Sequence, residues 1–367
     1  MKNVWDLEEF TSRKVTAASR PFFSNHPDSI ESFIDLYLQF AVIGIRSEEV
    51  AKKDRLHLGR FRSFFVESYG HDRISACLKR DALAWQSCLS AQGLAPSTVN
   101  NHLASLSAFT SWVSIQCPGT FSAGDPAKGI GELGLAPLEP RVLAESQIHS
   151  LKNICDRLER FHKLKERRWQ SNAPGRSTGR PWRDRAIVFV LLSSGLRREE
   201  LVNLNLDQVS PNTPEELRSA RRAKINRVRG KGKTERVVFL SADARGALAD
   251  YLEKEWPLDA SDSCEALFLS AVSLASRKSD GRLSPRSINL ILEQIGRWHD
   301  GEIKDPERHI SPLHPHALRH TFAFQLAAAT GADAYELERR LGHRSQRYIQ
   351  RYTNPPEDIA AGYVEEF

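Results

Sequence analysis

Cysteine is scarce and unpatterned. Cys77, Cys88, Cys117, Cys155 and Cys264 are odd in number, scattered along the chain, and form no CxxC. That excludes a disulfide framework and a thiolate zinc site, and it fits a reducing compartment. No apolar run approaches the roughly 18 residues that a membrane span needs. The opening "MKNVWDLEEF" is acidic and lacks an apolar stretch, so it does not read as a secretory signal. HExxH is absent, and so are the clustered carboxylates of a metal-dependent nuclease. There is no internal repeat and no low-complexity tract. These absences lead us to expect a soluble, cytoplasmic protein with no membrane partner, no metal and no cofactor.

What is present is positive charge, unevenly placed. The 367 residues have room for two domains. The formal net charge is +6 and the isoelectric point is about 9.1. Lys163–Arg185 holds eight basic residues against two acidic ones, and a second basic run spans Arg218–Lys233. Clustered cations point to a polyanionic partner, for which nucleic acid is the usual candidate. The plainer reading of either run is a solvated basic loop.

Residues 1–25 read as a loosely ordered leader. In "SIESFIDLYLQFAV", Ile30, Phe33, Ile34, Tyr37, Phe40 and Ala41 share one helical face. In "LAPSTVNNHLASLSAFTSWV", Pro96 and Ser97 suit a helix start. Val99, Leu103, Leu106 and Trp112 line one side of that helix, with Ser97, Asn100, Asn101 and Ser105 on the other. The small polar side suits either solvent or a DNA backbone. An all-helical region ends where "CPGTFSAGDPAKGIGELGLAPLEPRVL" brings in Gly and Pro. We expect a helical domain over 26–130, a linker over 131–142 and a second domain over 143–354.

In the second domain, a helix from Glu145 carries Ile148, Leu151, Ile154, Leu158 and Phe161 on one face. The basic stretch 163–182 then reads as an exposed insertion, with Arg167, Arg168, Arg176 and Arg180 as candidate DNA contacts. "AIVFVLLSSGLRREELVNLNLDQV" reads as a buried helix, a break and a second helix. "KINRVRGKGKTERVVFL" reads as a β-hairpin turning at "GKGK". Helices are predicted near 243–255, 285–299, 316–329, 333–341 and 345–353. The fold class expected is mainly α with a small antiparallel β-sheet.

Four polar stretches stand out, and each has an ordinary reading. Arg197 in "SGLRREEL" could be a surface residue paired with Glu200. Lys231 in "RGKGKTER" could be a solvated turn lysine. His314, His316, Arg319 and His320 crowd "LHPHALRHTFA", where a metal site is the rival reading. "LGHRSQRYIQRYTN" holds His343, Tyr348 and Tyr352. Taken together, the inventory fits phosphoryl transfer without a metal. Arginine's planar fork binds non-bridging oxygens and keeps its charge. Lysine or histidine can protonate a leaving alkoxide. Tyrosine can be the covalent nucleophile. Tyr348 and Tyr352 are four apart on one helix face, and this reasoning does not separate them.

The stretches "SGLRREEL", "RGKGKTERVVFL", "HPHALRHTFA", "LGH" and "QRYTN", in this order and spacing, resemble the tyrosine recombinase family of phage-type integrases and Xer-type enzymes. The resemblance is strongest over 147–353. It implies an N-terminal helical core-binding (SAM-like) domain and a C-terminal α+β catalytic domain. By the same resemblance, Arg197 and Arg319 match the catalytic arginines. Lys231 matches the hairpin general acid, His316 and His343 match the catalytic histidines, and Glu200 matches an acidic residue that helps order the site. The family spacing selects Tyr352 as nucleophile. It also implies double-stranded DNA recombination sites as substrate, a 3′-phosphotyrosine intermediate, a homo-tetramer in the synapse, and possible accessory proteins. The segment 355–367 would be a tail docked on a neighbouring protomer, with Ile359, Tyr363 and Phe367 as its apolar face. Mobile-element integration or transposition is the expected role, and Xer-type dimer resolution is the alternative. The rivals outside the recombinases are a type IB topoisomerase, a non-cutting DNA-binding regulator and a metal-dependent nuclease.

Overall fold

The computed structural model describes residues 27–135, 140–169, 179–230, 235–261 and 264–342, with side chains described to Lys165 in the second span. The leader, the hairpin tip with Lys231, the helix expected at 345–353 and the tail lie outside the described residues. The chain divides into two compact units, Met1–Leu138 and Glu139–Phe367.

In the first unit, Ser29 caps helix α1 (Ile30–Tyr37) by accepting the Ser32 N–H. Ile30, Phe33, Ile34 and Tyr37 are buried, as the helical spacing predicts. The face then shifts. Leu38–Val42 form a wide π turn closed by Ile43 N–H on the Leu38 carbonyl at 2.8 Å. One extra residue per turn carries Leu38 and Val42 inward and turns Phe40 out to 47% exposure. The expectation that Phe40 continues the buried face is corrected for that reason. Helices α2 (Glu48–Tyr69), α3 (Lys79–Ala91) and α4 (Pro96–Gln116) complete the bundle. Its core is built on Leu58, Phe61, Phe65, Trp85, Leu106 and Phe109.

Helix α4 is more buried than its polar residues suggest. Ser97 and Asn101 are exposed. Ser105 is buried, and its hydroxyl donates to Asp54 at 2.8 Å. Asn100 is also buried. Its amide donates to the Leu133 carbonyl at 2.9 Å and accepts the Leu133 N–H at 2.8 Å. Asn100 is therefore corrected from candidate DNA contact to an internal strut, because both ends of its amide are used on one backbone unit.

The second unit begins with α5 (Glu145–Cys155) and α6 (Leu158–Trp169), two helices where the sequence pattern suggested one. Next come α7 (Pro181–Ser194) and α8 (Arg198–Val202), then strand β1 (Val209–Ser210) and α9 (Pro214–Ser219). The hairpin is β2 (Ala223–Arg229) and β3 (Glu235–Leu240). It is followed by α10 (Ala242–Lys254), α11 (Trp256–Asp259), α12 (Pro285–Glu302), α13 (Pro315–Thr330) and α14 (Ala334–Leu341). The antiparallel sheet runs β1-β2-β3. Helix α7 is the central post: Ile187, Val188, Val190 and Leu191 are fully buried, and it packs against α10 and α13.

The basic stretch 163–182 is not one exposed loop. Its first residues extend α6, and its last begin α7. Arg180 is 9% exposed, and its guanidinium grips both oxygens of Asp259 at 2.6 and 2.7 Å. The reading of Arg180 as a DNA contact is corrected, because a buried bidentate ion pair holds it inside the domain. Among the described residues, no helix is long and apolar enough to cross a membrane.

Asn100→Ala leaves the Leu133 N–H and carbonyl without partners. It is expected to lower the unfolding free energy by about 1–3 kcal/mol, read as an earlier midpoint in chemical denaturation. DNA affinity of the folded protein is expected to be unchanged. An unchanged midpoint with weakened DNA binding would contradict this assignment.

Candidate active site

The site starts at the end of α7. Gly195 takes a left-handed conformation, φ 58°, which glycine adopts at little cost. A β-carbon there would also collide with the Phe322 ring of α13. This close approach lets the Gly195 carbonyl accept a hydrogen bond from Arg319 Nη1. Two residues on, Arg197 has extended backbone and stands at the N-terminus of α8.

Glu200, on the first turn of α8, is buried at 6% exposure. Its carboxylate collects four N–H donors. Arg197 gives its backbone N–H at 2.8 Å and Nη1 at 2.9 Å. Arg236, from β3, gives Nη1 at 2.9 Å and Nη2 at 2.6 Å. Burial pushes the Glu200 pKa up, but the hydrogen bonds and charge of Arg236, then those of Arg197, outweigh it and hold the group at about 2.

Both guanidinium groups, joined by that of Arg319, reach a second target. Helix α14 ends at Gly342, again left-handed, φ 63°. Three consecutive carbonyls at that end each accept from a different arginine. Arg236 Nε donates to Arg340 at 2.9 Å, Arg319 Nη2 to Leu341 at 2.6 Å, and Arg197 Nη2 to Gly342 at 3.3 Å. The last carbonyls of a helix lack intrahelical partners and carry partial negative charge, so cations suit them. Leu337 and Leu341 anchor α14 from below, against Ala323 and Ala327 of α13. The residue after Gly342 is His343.

His316 is an exposed residue in the first turn of α13. Partial burial, then the charges of Arg319, Arg198 and Arg197, push its pKa below the ordinary 6.5. A neutral ring at pH 7 offers one donor and one acceptor nitrogen.

Of the residues singled out from sequence, Arg197, Glu200, His316 and Arg319 come together here. Lys231, His343, Tyr348, Tyr352 and Arg176 lie outside the described residues, as do the side chains of Arg167 and Arg168. Arg236 was missed. Its signal is the alternation in "ERVVFL": it shares a strand face with the buried Val238 and Leu240, an odd place for an arginine without a buried partner. Three guanidinium groups against one carboxylate leave the cluster net positive, as binding a phosphodiester requires. Among the described residues, no three or more His, Cys, Asp or Glu could hold a metal ion together.

The Glu200 carboxyl lies below its ordinary 4.5, so its ionised form contributes stability. That contribution is complete above about pH 4.5 and is lost as pH falls toward 2. Glu200→Gln is expected to be less stable than the wild type by on the order of 3 kcal/mol near neutrality. The gap should narrow as pH falls below about 4.5. Denaturation midpoints of both proteins across this range check it, and a pH-independent gap would contradict it.

Residues 170–358 match the phage integrase family, more than half of the 367-residue chain. A tyrosine recombinase XerC of Myxococcus xanthus is 30% identical over 264 residues, 71% of this chain and 72% of that protein. A tyrosine recombinase XerC of Syntrophus aciditrophicus is 34% identical over 171 residues, 47% of this chain and 48% of that protein. The match thus spans about half the length of several curated relatives. Among solved structures, the Tn1549 transposon integrase in complex with transposon right end DNA aligns with TM-score 0.63 and 16% identity, covering 92% of this chain and 99% of that one. The XerH site-specific recombinase bound to palindromic difH substrate aligns with TM-score 0.62 and 17% identity, covering 86% and 80%. At that identity the likeness is one of fold. With the arginine, glutamate and histidine constellation in place and the family matched over more than half its length, the chain belongs to the phage integrase family of tyrosine recombinases.

Proposed function

We propose that this chain cuts and rejoins DNA at specific sites through a 3′-phosphotyrosine formed on Tyr352. The observation that carries the reading is the convergence of Arg197, Arg236 and Arg319 on the carbonyls just before His343. Nine residues beyond that histidine stands Tyr352. A positively charged cluster is thereby fixed to the start of the segment that bears the nucleophile.

In this mechanism Arg197, whose side chain is 28% exposed, presents its guanidinium to the non-bridging oxygens, with Arg319 behind it. Neutral His316 takes the phenolic proton as Tyr352 Oη attacks phosphorus. The bond from phosphorus to the 5′-oxygen breaks, and Lys231 protonates the leaving oxygen. His343 donates a hydrogen bond to the phosphate. The 5′-hydroxyl of a partner strand then attacks the phosphotyrosine and releases the tyrosine. The phosphodiester energy stays in the protein–DNA bond, so the route uses neither nucleotide nor metal.

Residues 26–130 serve as the core-binding domain, 131–142 as linker and 143–354 as catalytic domain. Ser97 and Asn101, exposed at the start of α4, and Arg167, Arg168 and Arg176 are the proposed backbone contacts. Affinity built on such contacts falls steeply with salt. The working assembly is a cytoplasmic homo-tetramer on two DNA sites, with the 355–367 tail docked on a neighbour and accessory proteins as further partners. Integration or transposition of a mobile element is the first reading of its biological role. The relatives bearing the name XerC favour a second, in which the sites are those of Xer-type dimer resolution.

A nicked suicide substrate, incubated with the protein in EDTA, is expected to give an SDS-resistant protein–DNA adduct. The adduct should vanish in Tyr352→Phe and persist in Tyr348→Phe. Loss in Tyr348→Phe alone would move the nucleophile. Tight binding without any adduct would favour a regulator that does not cut.

A further inference from the structure

Of the three arginines, Arg236 alone comes from the sheet. Its side chain is 8% exposed and lies on the strand face that carries the buried Val238 and Leu240. Each of its three nitrogens makes a hydrogen bond: Nη1 and Nη2 to the two oxygens of Glu200, and Nε to the Arg340 carbonyl. Through Glu200 it meets Arg197, and through Arg340 it meets the end of α14. Gly342 adds a steric constraint, because a β-carbon there would stand 3.1 Å from Arg236 Nη1. The guanidinium plane therefore sets how closely β3 and α14 approach. Arg236 also lies five residues after Lys231 in the chain.

Resting on the recombinase reading, we propose that Arg236 is a positioning residue for the attack half of the reaction. It sets Arg197, through Glu200, and the end of α14, through the Arg340 carbonyl, in one fixed relation. The competing assignment is that Arg236 acts through the hairpin, holding Lys231 for the leaving group. The geometry favours the first. Among the described residues, its bonds run to Glu200 and to the Arg340 carbonyl of α14, which ties it directly to the neighbours of Arg197 and to the end of that helix. Lysine cannot replace it, since one ammonium cannot span a carboxylate and a separate carbonyl in a single plane.

The two assignments separate with a leaving-group test. In a suicide substrate whose scissile 5′-oxygen is replaced by sulfur, the thiolate leaves without a proton. Tyr352 Oη still bonds to phosphorus as the bond from phosphorus to sulfur breaks. Lys231→Ala should cleave the oxygen substrate slowly and recover on the sulfur substrate. Arg236→Lys should cleave both slowly, by about 10- to 100-fold. Its binding to the nicked duplex should stay within about twofold of wild type, since binding rests on the phosphate contacts, which it does not make. Glu200→Gln, assayed well below its melting transition, should show the same unrescued defect, because it removes the charged anchor of Arg236.

Recovery of Arg236→Lys on the sulfur substrate would overturn the proposal and place the residue behind Lys231. Wild-type cleavage by Arg236→Lys would overturn it too, as would a defect that follows lost DNA binding. Failure of the wild type to form any adduct would instead sink the recombinase reading and take this role with it.

Discussion

The second unit is organised around one buried carboxylate. Glu200 gives up hydration, a cost that only dense hydrogen bonding offsets. Four N–H groups from two arginines supply it. Because those arginines sit on different elements, the carboxylate does more than neutralise charge. It fixes the start of α8 to the inner face of β3, and through the same guanidinium groups it fixes both to the end of α14. Removing one partner would leave a charge buried without compensation, the costly way to break such a pair.

Two glycines make this arrangement possible. Gly195 lets α13 come close enough for Arg319 to reach the end of α7, and Gly342 turns the chain so that three successive carbonyls face three arginines. Both are helix C-caps in left-handed conformation, and in both cases a β-carbon would meet a neighbour. The buried post α7 supplies rigidity beneath. A cluster meant to stabilise developing charge works best when its dipoles are already in place, and here they are held by packed helices and a strand.

The sequence was most legible where chemistry constrains spacing. Arg197, Glu200, His316 and Arg319 stand in short motifs, and the structure brings them together. It was least legible where a side chain's partner is distant in the chain. Arg180 sits among Gly, Pro and Ser, which read as an exposed loop, but Asp259, 79 residues away, buries it. Asn100 looked like part of a solvated polar face, but Leu133, 33 residues away, uses its whole amide. Arg236 fell in a strand pattern where the apolar positions drew attention, and its partners Glu200 and Arg340 come from two other elements. Phe40 failed for a local reason: a π turn shifts the helical register by one residue, which no 3.6-residue pattern anticipates. Strand β1, two residues long, gives no periodicity to read.

The central claim is covalent chemistry at Tyr352, and peptide mapping of a trapped adduct tests it most directly. Arg347 and Arg351 each precede a tyrosine, so trypsin separates Tyr348, in "YIQR", from Tyr352, at the head of the following peptide. After nuclease trimming of the DNA, the account predicts a nucleotide 3′-phosphate on the peptide that begins at Tyr352, with fragmentation assigning it to that first residue. The same mass on "YIQR", or fragmentation that assigns it to Tyr363 of the same peptide, would contradict it.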